Sequence, residues 1–423
     1  MFGLSMNIIA QALEVYKRAI SVGSRNVANA NNEDYVREEP LITSHLYSGI
    51  TLEEVRREQN FYLINLRNQK LSYVSYLSER EEALKTLESA LQEMSDGLGL
   101  TDSINKFFQA YLELMKEPTN EGAKQTFLRR AEGLVNTLKV RFGELQSTEG
   151  VLKKGLQDYV NRVNELVKKL HEVNREITFK YSLEYAREKD YKTLLDLRDK
   201  YLKELSQYLP IRATQDEMGR VSVSTVKGFA LVDFHNAYYT LRYEDGAIKW
   251  KDGSDITPYI NSGKIGGALR ALEDVQEVKT KLNEVVSELL SVKIPVGAGE
   301  ESVFTGTDIT NLSVESNLEN NLSNLDTTRT AQYSQMALSW WENTKSASLR
   351  LTDYVASNLN SVVEEKDLEE ALYNSLQEKI LQRQGVSIDQ EIMEIIQLQR
   401  NYEAVAQVLS RIDELLRTTI NMI

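Results

Sequence analysis

Residues 387–423 read SIDQEIMEIIQLQRNYEAVAQVLSRIDELLRTTINMI, and Ile395, Leu398, Tyr402, Val405, Leu409, Ile412, Leu416, Thr419 and Ile423 recur in alternating steps of three and four. An unbroken 3–4 alternation is the signature of a coiled-coil seam on one face of a helix. Gly385 closes whatever helix precedes it, and Ser387 to Gln390 form an N-cap with a capping box. The other end of the chain carries a matching surface. Ile9, Leu13, Tyr16 and Ile20 form one apolar column, and Ile8, Ala12, Val15, Ala19 and Val22 form a second beside it. Terminal segments fray unless something holds them. Two apolar helices at the extremes are therefore expected to pair with each other, bringing the ends together, and to pack against further copies. The alternative is that both are ordinary core helices of a bundle.

Between these ends the texture is that of a rod. The chain of 423 residues has only 5 prolines and 21 glycines, which favours long uninterrupted helices. Thr51 to Glu54 read as a capping box, from which a helix is expected to about Met94. The stretch 95–100 is a break, and a further helix stops at Lys116, before Pro118. From Leu156 to Tyr208 there is neither Gly nor Pro, so one helix of about 50 residues, roughly 75 Å long, is expected. At Pro210 the pattern changes. Alternating Val221 and Val223, and the turn Glu244-Asp245-Gly246 between two β-prone runs, predict a small antiparallel β unit over 210–262. Helix resumes over about 267–292, residues 294–314 are irregular or β, and helix returns from about Thr328 to Arg383. The expected fold is mainly α: an elongated rod of long helices, its N- and C-terminal helices paired as a coiled coil, with a small antiparallel β subdomain. The expected division is a terminal assembly unit (1–45 with 384–423), a helical rod (46–209 with 263–383) and the β subdomain (210–262).

Charge and composition exclude several functions. A formal charge of −13 and a pI near 5.1 disfavour nucleic acid and anionic membrane as partners. The absence of cysteine removes disulfides, zinc-thiolate sites and cysteine nucleophiles. No run of about 18 apolar residues is present. The N-terminus has its first basic residue at Lys17, and Asn7, Gln11 and Glu14 interrupt any leader-like apolar core, so a cleaved signal peptide is not expected. The three histidines, His45, His171 and His235, are scattered, and His171 reads as a solvated helix residue or an i,i+4 partner. VGAGEES (296–302) is a loop rather than a dinucleotide site, and SGKIGG (262–267) is the opening turn of a helix rather than a P-loop. Trp340-Trp341 reads as a helical pair with one ring in the core. No cofactor or metal is expected, and no enzymatic activity.

One loop stands apart. SRNVANANNEDYVREE (24–39) places Asn26, Asn29, Asn31 and Asn32 just after the N-terminal helix and just before an acidic cluster. Ser24, Asn26, Asn29, Asn31, Tyr35 and Arg37 resemble the signature S-x-N-I-A-N-x-N-T-P-G-Y-x-R-Q of flagellar rod, hook and hook-associated proteins. Asn32-Glu33-Asp34 departs from its Thr-Pro-Gly, and Glu38 from its Gln. The C-terminal stretch from Gly385 resembles the end of the hook-associated protein 1 family, which opens Gly-Val-x-Leu-Asp-Glu-Glu. LLDLRDKYLKELSQYL, SGKIGGALRALEDV and VFTGTDITNLSV resemble internal blocks of that family in the same order. The resemblance implies a structural protein of the hook–filament junction, with a reduced outer β region between Val292 and Phe304. It implies export through the flagellar type III channel to the cell exterior without a cleaved leader. The implied partners are further copies of the chain in a ring, the flagellar hook protein, hook-associated protein 3 and an export chaperone for the C-terminal region. In that setting the asparagines are caps, turn formers and intersubunit hydrogen-bond donors, and the terminal seams order on assembly. A hook or rod axial protein is the structural alternative. An inserted hydrolase or a surface adhesin is disfavoured, because neither a catalytic constellation nor Ser/Thr-rich repeats are present.

Overall fold

The computed structural model describes residues 2–32, 35–45, 49–57, 59–91, 99–182, 190–235 and 237–421. The N-terminal helix α1 (Phe2–Ala28) leads into a hairpin of β1 (Glu38–His45) and β2 (Gly49–Arg57). Helices α2 (Phe61–Leu91), α3 (Leu100–Lys116), α4 (Glu121–Ser182) and α5 (Asp190–Tyr208) follow. Next come β3 (Ile211–Gln215), β4 (Val221–Thr225), β5 (Ala230–Val232), β6 (Arg242–Glu244) and β7 (Ala247–Lys249). Then α6 (Gly263–Leu290) precedes four short strands, β8 (Lys293–Val296), β9 (Gly299–Ser302), β10 (Phe304–Thr305) and β11 (Ser313–Val314). The chain ends in α7 (Leu318–Ser323), α8 (Thr330–Gln384) and α9 (Ile388–Asn421).

Two expectations change. The segment expected to open a helix at Thr51 is β2, paired antiparallel with β1 from Glu38↔Arg57 to His45↔Gly49. The helix starts ten residues later, where the Asn60 side chain accepts the Leu63 N–H at 3.1 Å and so caps the first turn. A capping-box pattern cannot compete with a complete ladder of cross-strand hydrogen bonds. The expected division at residue 45 thus falls at the turn between two paired strands. The single long helix over 156–208 is two helices. α4 runs 62 residues, about 93 Å, and α5 folds back along it, with Arg162 of α4 donating to Glu204 of α5 at 2.8 Å. Residues 183–189 between them lie outside the described residues, as do 92–98 at the expected break and Ile423 at the end of the seam.

The rest follows the pattern. Asp245 and Gly246 take φ of 54° and 80°, the two left-handed positions of a hairpin turn, and join β6 to β7. Strands β3–β4–β5 form one sheet and β6–β7 another. Their inner residues pack with Leu156, Val160, Val163 and Val167 of α4 and with Leu202 and Leu205 of α5. A second core joins α2, α3, the first half of α4, α6 and α8, with Phe107, Phe108, Tyr111, Phe127 and Phe304 at its centre. Trp340 and Trp341 are both half-buried against α3. Trp340 stands edge-on to Tyr111 at 6.2 Å, and Trp341 donates to Asn105 at 2.8 Å. His171 is half-buried, and its ring lies 5.0 Å from that of Tyr238 in the β subdomain. SGKIGG opens α6, and its glycines serve packing. A Cβ on Gly267 would sit 2.6 Å from the Tyr76 carbonyl oxygen of α2, so only glycine lets these helices approach so closely.

Candidate functional site

The asparagine loop is a clasp between the two ends of the chain. α1 and α9 pack along each other, and the β1–β2 hairpin lies against α1. At the loop end of this pair sits Asn26, only 1% exposed. Its Nδ2 donates to the Glu38 carbonyl at 2.8 Å and to Glu391 Oε2 at 3.0 Å. Its Oδ1 accepts from the Glu38 N–H at 3.1 Å and from the Tyr35 hydroxyl at 2.8 Å. All four hydrogen-bonding positions of the amide are used. Glu391, also 1% exposed, takes a second donor in Arg37 Nε at 2.6 Å. Arg37 reaches Glu394 at 3.3 Å, and its backbone N–H donates to the Gln384 carbonyl at 2.9 Å, at the end of α8. Arg25 pairs with Glu38 at 2.8 Å, Asn29 donates to the Arg25 carbonyl at 2.9 Å, and Ser24 to the Ile20 carbonyl at 2.8 Å. Asn31 is exposed. A buried carboxylate is tolerable only when its oxygens are fully bonded, and residues of the N-terminal motif bond Glu391.

The apolar seams flank this clasp unevenly. In α9, Ile395, Leu398, Tyr402, Val405, Leu409, Ile412 and Leu416 are half-buried, and from Ile388 to Thr418 only Glu391 is buried outright. In α1 the fully buried column is Ala12, Val15, Ala19 and Val22, while Ile9, Leu13, Tyr16 and Ile20 stay half-exposed. The smaller side chains bring the helix axes together. At Gly23 a Cβ would lie 2.8 Å from Ile395 Cγ1. α9 also exposes apolar side chains among its charged ones: Ile392, Met393, Ile396, Val408 and Leu415 are 43–63% exposed.

A second polar knot ties the hairpin to the rod. Arg57 at the end of β2 pairs with Asp196 and, at 3.3 Å, with Asp199, both on α5. Asp199 also accepts from Arg198 at 2.6 Å and from Gln59 at 2.5 Å. Arg198 is fully buried and donates to the Gly219 carbonyl in the β3–β4 turn. Between this knot and the clasp lies an open polar cavity of about 360 Å³, lined by Arg25, Tyr35, Glu38, Asp196 and Lys200 among others. Burial pushes the Asp196 carboxyl up to about 6 against the pull of Arg57, and Asp199 and Glu38 add to the rise. Burial opposes the charge on Asp199 as well, but Arg198 and Arg57 together hold it below the usual carboxylate range.

The two carboxyls therefore act oppositely on stability. The folded state binds the Asp196 proton more tightly than the unfolded chain, so its contribution grows as pH falls through about 6 and levels off near the unfolded value of about 3.9. The contribution of Asp199 is present above that unfolded value and is lost as pH falls through its lower folded value. Between pH 7.5 and 5 the Asp196 effect acts alone of the two. Stability is expected to rise by on the order of 1–2 kcal/mol over that window, and Asp196→Asn to flatten the rise in urea unfolding at each pH. An equally steep rise in the variant would assign it to other groups.

Glu38 stood out only as a departure from the signature's Gln, and Glu391, Arg198 and Asp199 did not stand out in the sequence at all. Among 63 acidic residues none looks different from a solvated surface charge. The one available signal was position, since Glu391 is the second acid after Gly385-Val386 and Arg198-Asp199 closes the LLDLRD block. Among the described residues no group of three His, Cys, Asp or Glu side chains could hold a metal ion, and no helix is long and apolar enough to cross a membrane.

Long helices, two internal cores and a polar clasp between α1 and α9 define a mainly helical protein whose first and last helices are joined. Residues 84–293 match the family model described as the flagellar hook-associated protein FlgK helical domain, and 377–422 match the flagellar basal body rod FlgEFG protein C-terminal region. Residues 84–293 of this chain therefore carry the helical domain that the first model describes. The chain is 21% identical over 305 residues to flagellar hook-associated protein 1 of Salmonella typhimurium, covering 66% of this chain and 54% of that protein. The protein of the same name in Bacillus subtilis is 22% identical over 246 residues, 54% of this chain and 48% of its own length. The chain thus spans about half the length of the curated relatives it matches. Among solved structures, the flagellar hook junction protein FlgK from Burkholderia pseudomallei aligns with 57% of this chain and 46% of its own, at 21% identity and a TM-score of 0.48.

Proposed function

We propose that this chain is a structural subunit of the bacterial flagellum that joins hook to filament. The observation that carries the reading is the clasp. The motif residues Asn26 and Arg37 hold Glu391 of the last helix, making one unit of the two ends, while α9 keeps apolar side chains open to solvent. Such side chains are covered on assembly. Burying one Leu or Ile side chain contributes about 1.5–3 kcal/mol, so several per subunit offset the entropy of ordering both ends. On this reading Ile9, Leu13, Tyr16 and Ile20 of α1, with the seam of α9, form the assembly surface. The terminal unit includes the β1–β2 hairpin, and the rod and the β subdomain lie outside it.

The partners follow from that place. They are further copies in a ring, the hook protein on one side, hook-associated protein 3 on the other, and an export chaperone on the C-terminal region before assembly. The route is the flagellar export channel, and the destination is the cell exterior. The test is localisation. In the source bacterium with its own gene deleted, a tagged chain is expected at the distal end of the hook and to restore filaments. Hooks that stay bare of the tag while filaments grow would refute the junction reading. Tag found along the whole hook would favour a hook or rod protein instead.

A further inference from the structure

The β subdomain carries a row of aromatic rings that are only partly used in its own packing, with Phe229 and Trp250 half-buried against the core. Tyr239, Trp250, Phe229 and Tyr259 form a continuous aromatic ribbon, with ring centroids 5.7, 5.7 and 6.1 Å apart in that order. Tyr259 is 45% exposed. Two exposed lysines lie on the ribbon: Lys251 Nζ is 3.7 Å from the Tyr239 centroid and 4.8 Å from that of Trp250, and Lys227 Nζ is 5.8 Å from that of Tyr259. Rings topped by cations on a chain of net charge −13 call for an apolar ridge flanked by carboxylates.

The same chain presents that ridge. On α8, Leu368 and Leu372 are 61% and 42% exposed, one helical turn apart, and Glu364 and Asp367 beside them are also exposed. The opposite face of this stretch is occupied, since Lys366 pairs with Glu81 and Glu369 with Lys70, both on α2. Ridge and ribbon are tied to neighbouring residues of α2. Glu369 of α8 pairs with Lys70, and Ser262, three residues after Tyr259, shares a 2.8 Å hydrogen bond with Ser72. Two residues of helix separate those ties by only about 3 Å.

We propose that the aromatic ribbon of one copy receives the acidic Leu368–Leu372 ridge of a second copy. The interface is a heterologous side-by-side contact at the level of the rod, distinct from the terminal helices. Two different surfaces at one height are what a closed ring requires. The inference rests on the self-assembly reading above, and its test separates the two.

The chain contains no cysteine, so single-cysteine variants report cleanly. Full-length Tyr259→Cys and Leu368→Cys chains, of distinguishable mass, are mixed under conditions where sedimentation shows oligomers, then treated with a short bismaleimide. The expected product joins one chain of each kind. Lys227→Glu with Lys251→Glu is expected to lower self-association about ten-fold, and Glu364→Lys with Asp367→Lys in the same chain to restore it. Oligomers without the mixed adduct, adducts of Tyr259→Cys with itself alone, or no charge-reversal rescue would each overturn the proposed contact and leave the assembly reading standing. Chains that remain monomeric at every concentration would overturn both.

Discussion

Asn26→Ala is expected to release the terminal unit while leaving the rod folded. The substitution removes four hydrogen bonds at once and strips Glu391 of its Asn26 partner while the carboxylate remains buried. Each buried group left unbonded costs about 1–3 kcal/mol. The Tyr35 hydroxyl and part of Glu38 border the polar cavity, where water can recover some bonding, so a loss of on the order of 3 kcal/mol is expected. The loss falls on α1, the hairpin and α9, because neither main core includes them. Thermal unfolding followed by circular dichroism should show a new early transition, with the main one in place. Asn26→Asp tests the chemistry rather than the size. It sets a carboxylate against Glu391 and the Glu38 carbonyl, and should be no better than alanine. A variant that unfolds in one transition at the normal midpoint would show that the clasp holds nothing.

Asp199→Ala is expected to cost more and to act globally. It leaves Arg198, with no exposed surface, without a carboxylate, held by a backbone carbonyl, by the Gln59 side chain at 3.4 Å and by the Phe61 ring at 5.8 Å. It also takes one of two carboxylates from Arg57. Removing one partner of a buried ion pair typically costs about 3–5 kcal/mol. The knot spans the hairpin, α5 and the β3–β4 turn, so the loss should appear as a lower urea midpoint for the main transition. Asp199→Asn keeps the Gln59 and Arg198 geometry and should lose less. Equal losses for the two variants would mean that charge, not shape, is what the site requires.

Much of this architecture was legible because helical and strand periods leave local traces. The seam of α9 is written in its spacing, and its seven named apolar positions are the half-buried ones. The Asp-Gly turn gave its hairpin away for the same reason. The α1 seam was harder. Ile9, Leu13, Tyr16 and Ile20 are the more hydrophobic column, but the structure buries Ala12, Val15, Ala19 and Val22, since close approach rewards small side chains. Pairing of β1 with β2 is non-local, and the polar, partly exposed residues of β2 carry no strand pattern strong enough to outweigh an apparent helix cap. No Gly or Pro in the sequence announces where α4 ends and α5 begins. The clasp was half legible. A run of asparagines signals a special loop, but which of many glutamates they grip depends on a partner more than 350 residues away.

The most direct measurement is amide hydrogen exchange on the isolated full-length chain, comparing α1, α9 and the rod helices α3 and α4. The account predicts that α1 and α9 open together, faster than the rod, because each is protected chiefly by the other. It also predicts that Asn26→Ala accelerates both by the same factor. If α1 and α9 exchange at unrelated rates, or as slowly as α3 and α4, the two ends are not one clasped unit completed by neighbouring copies.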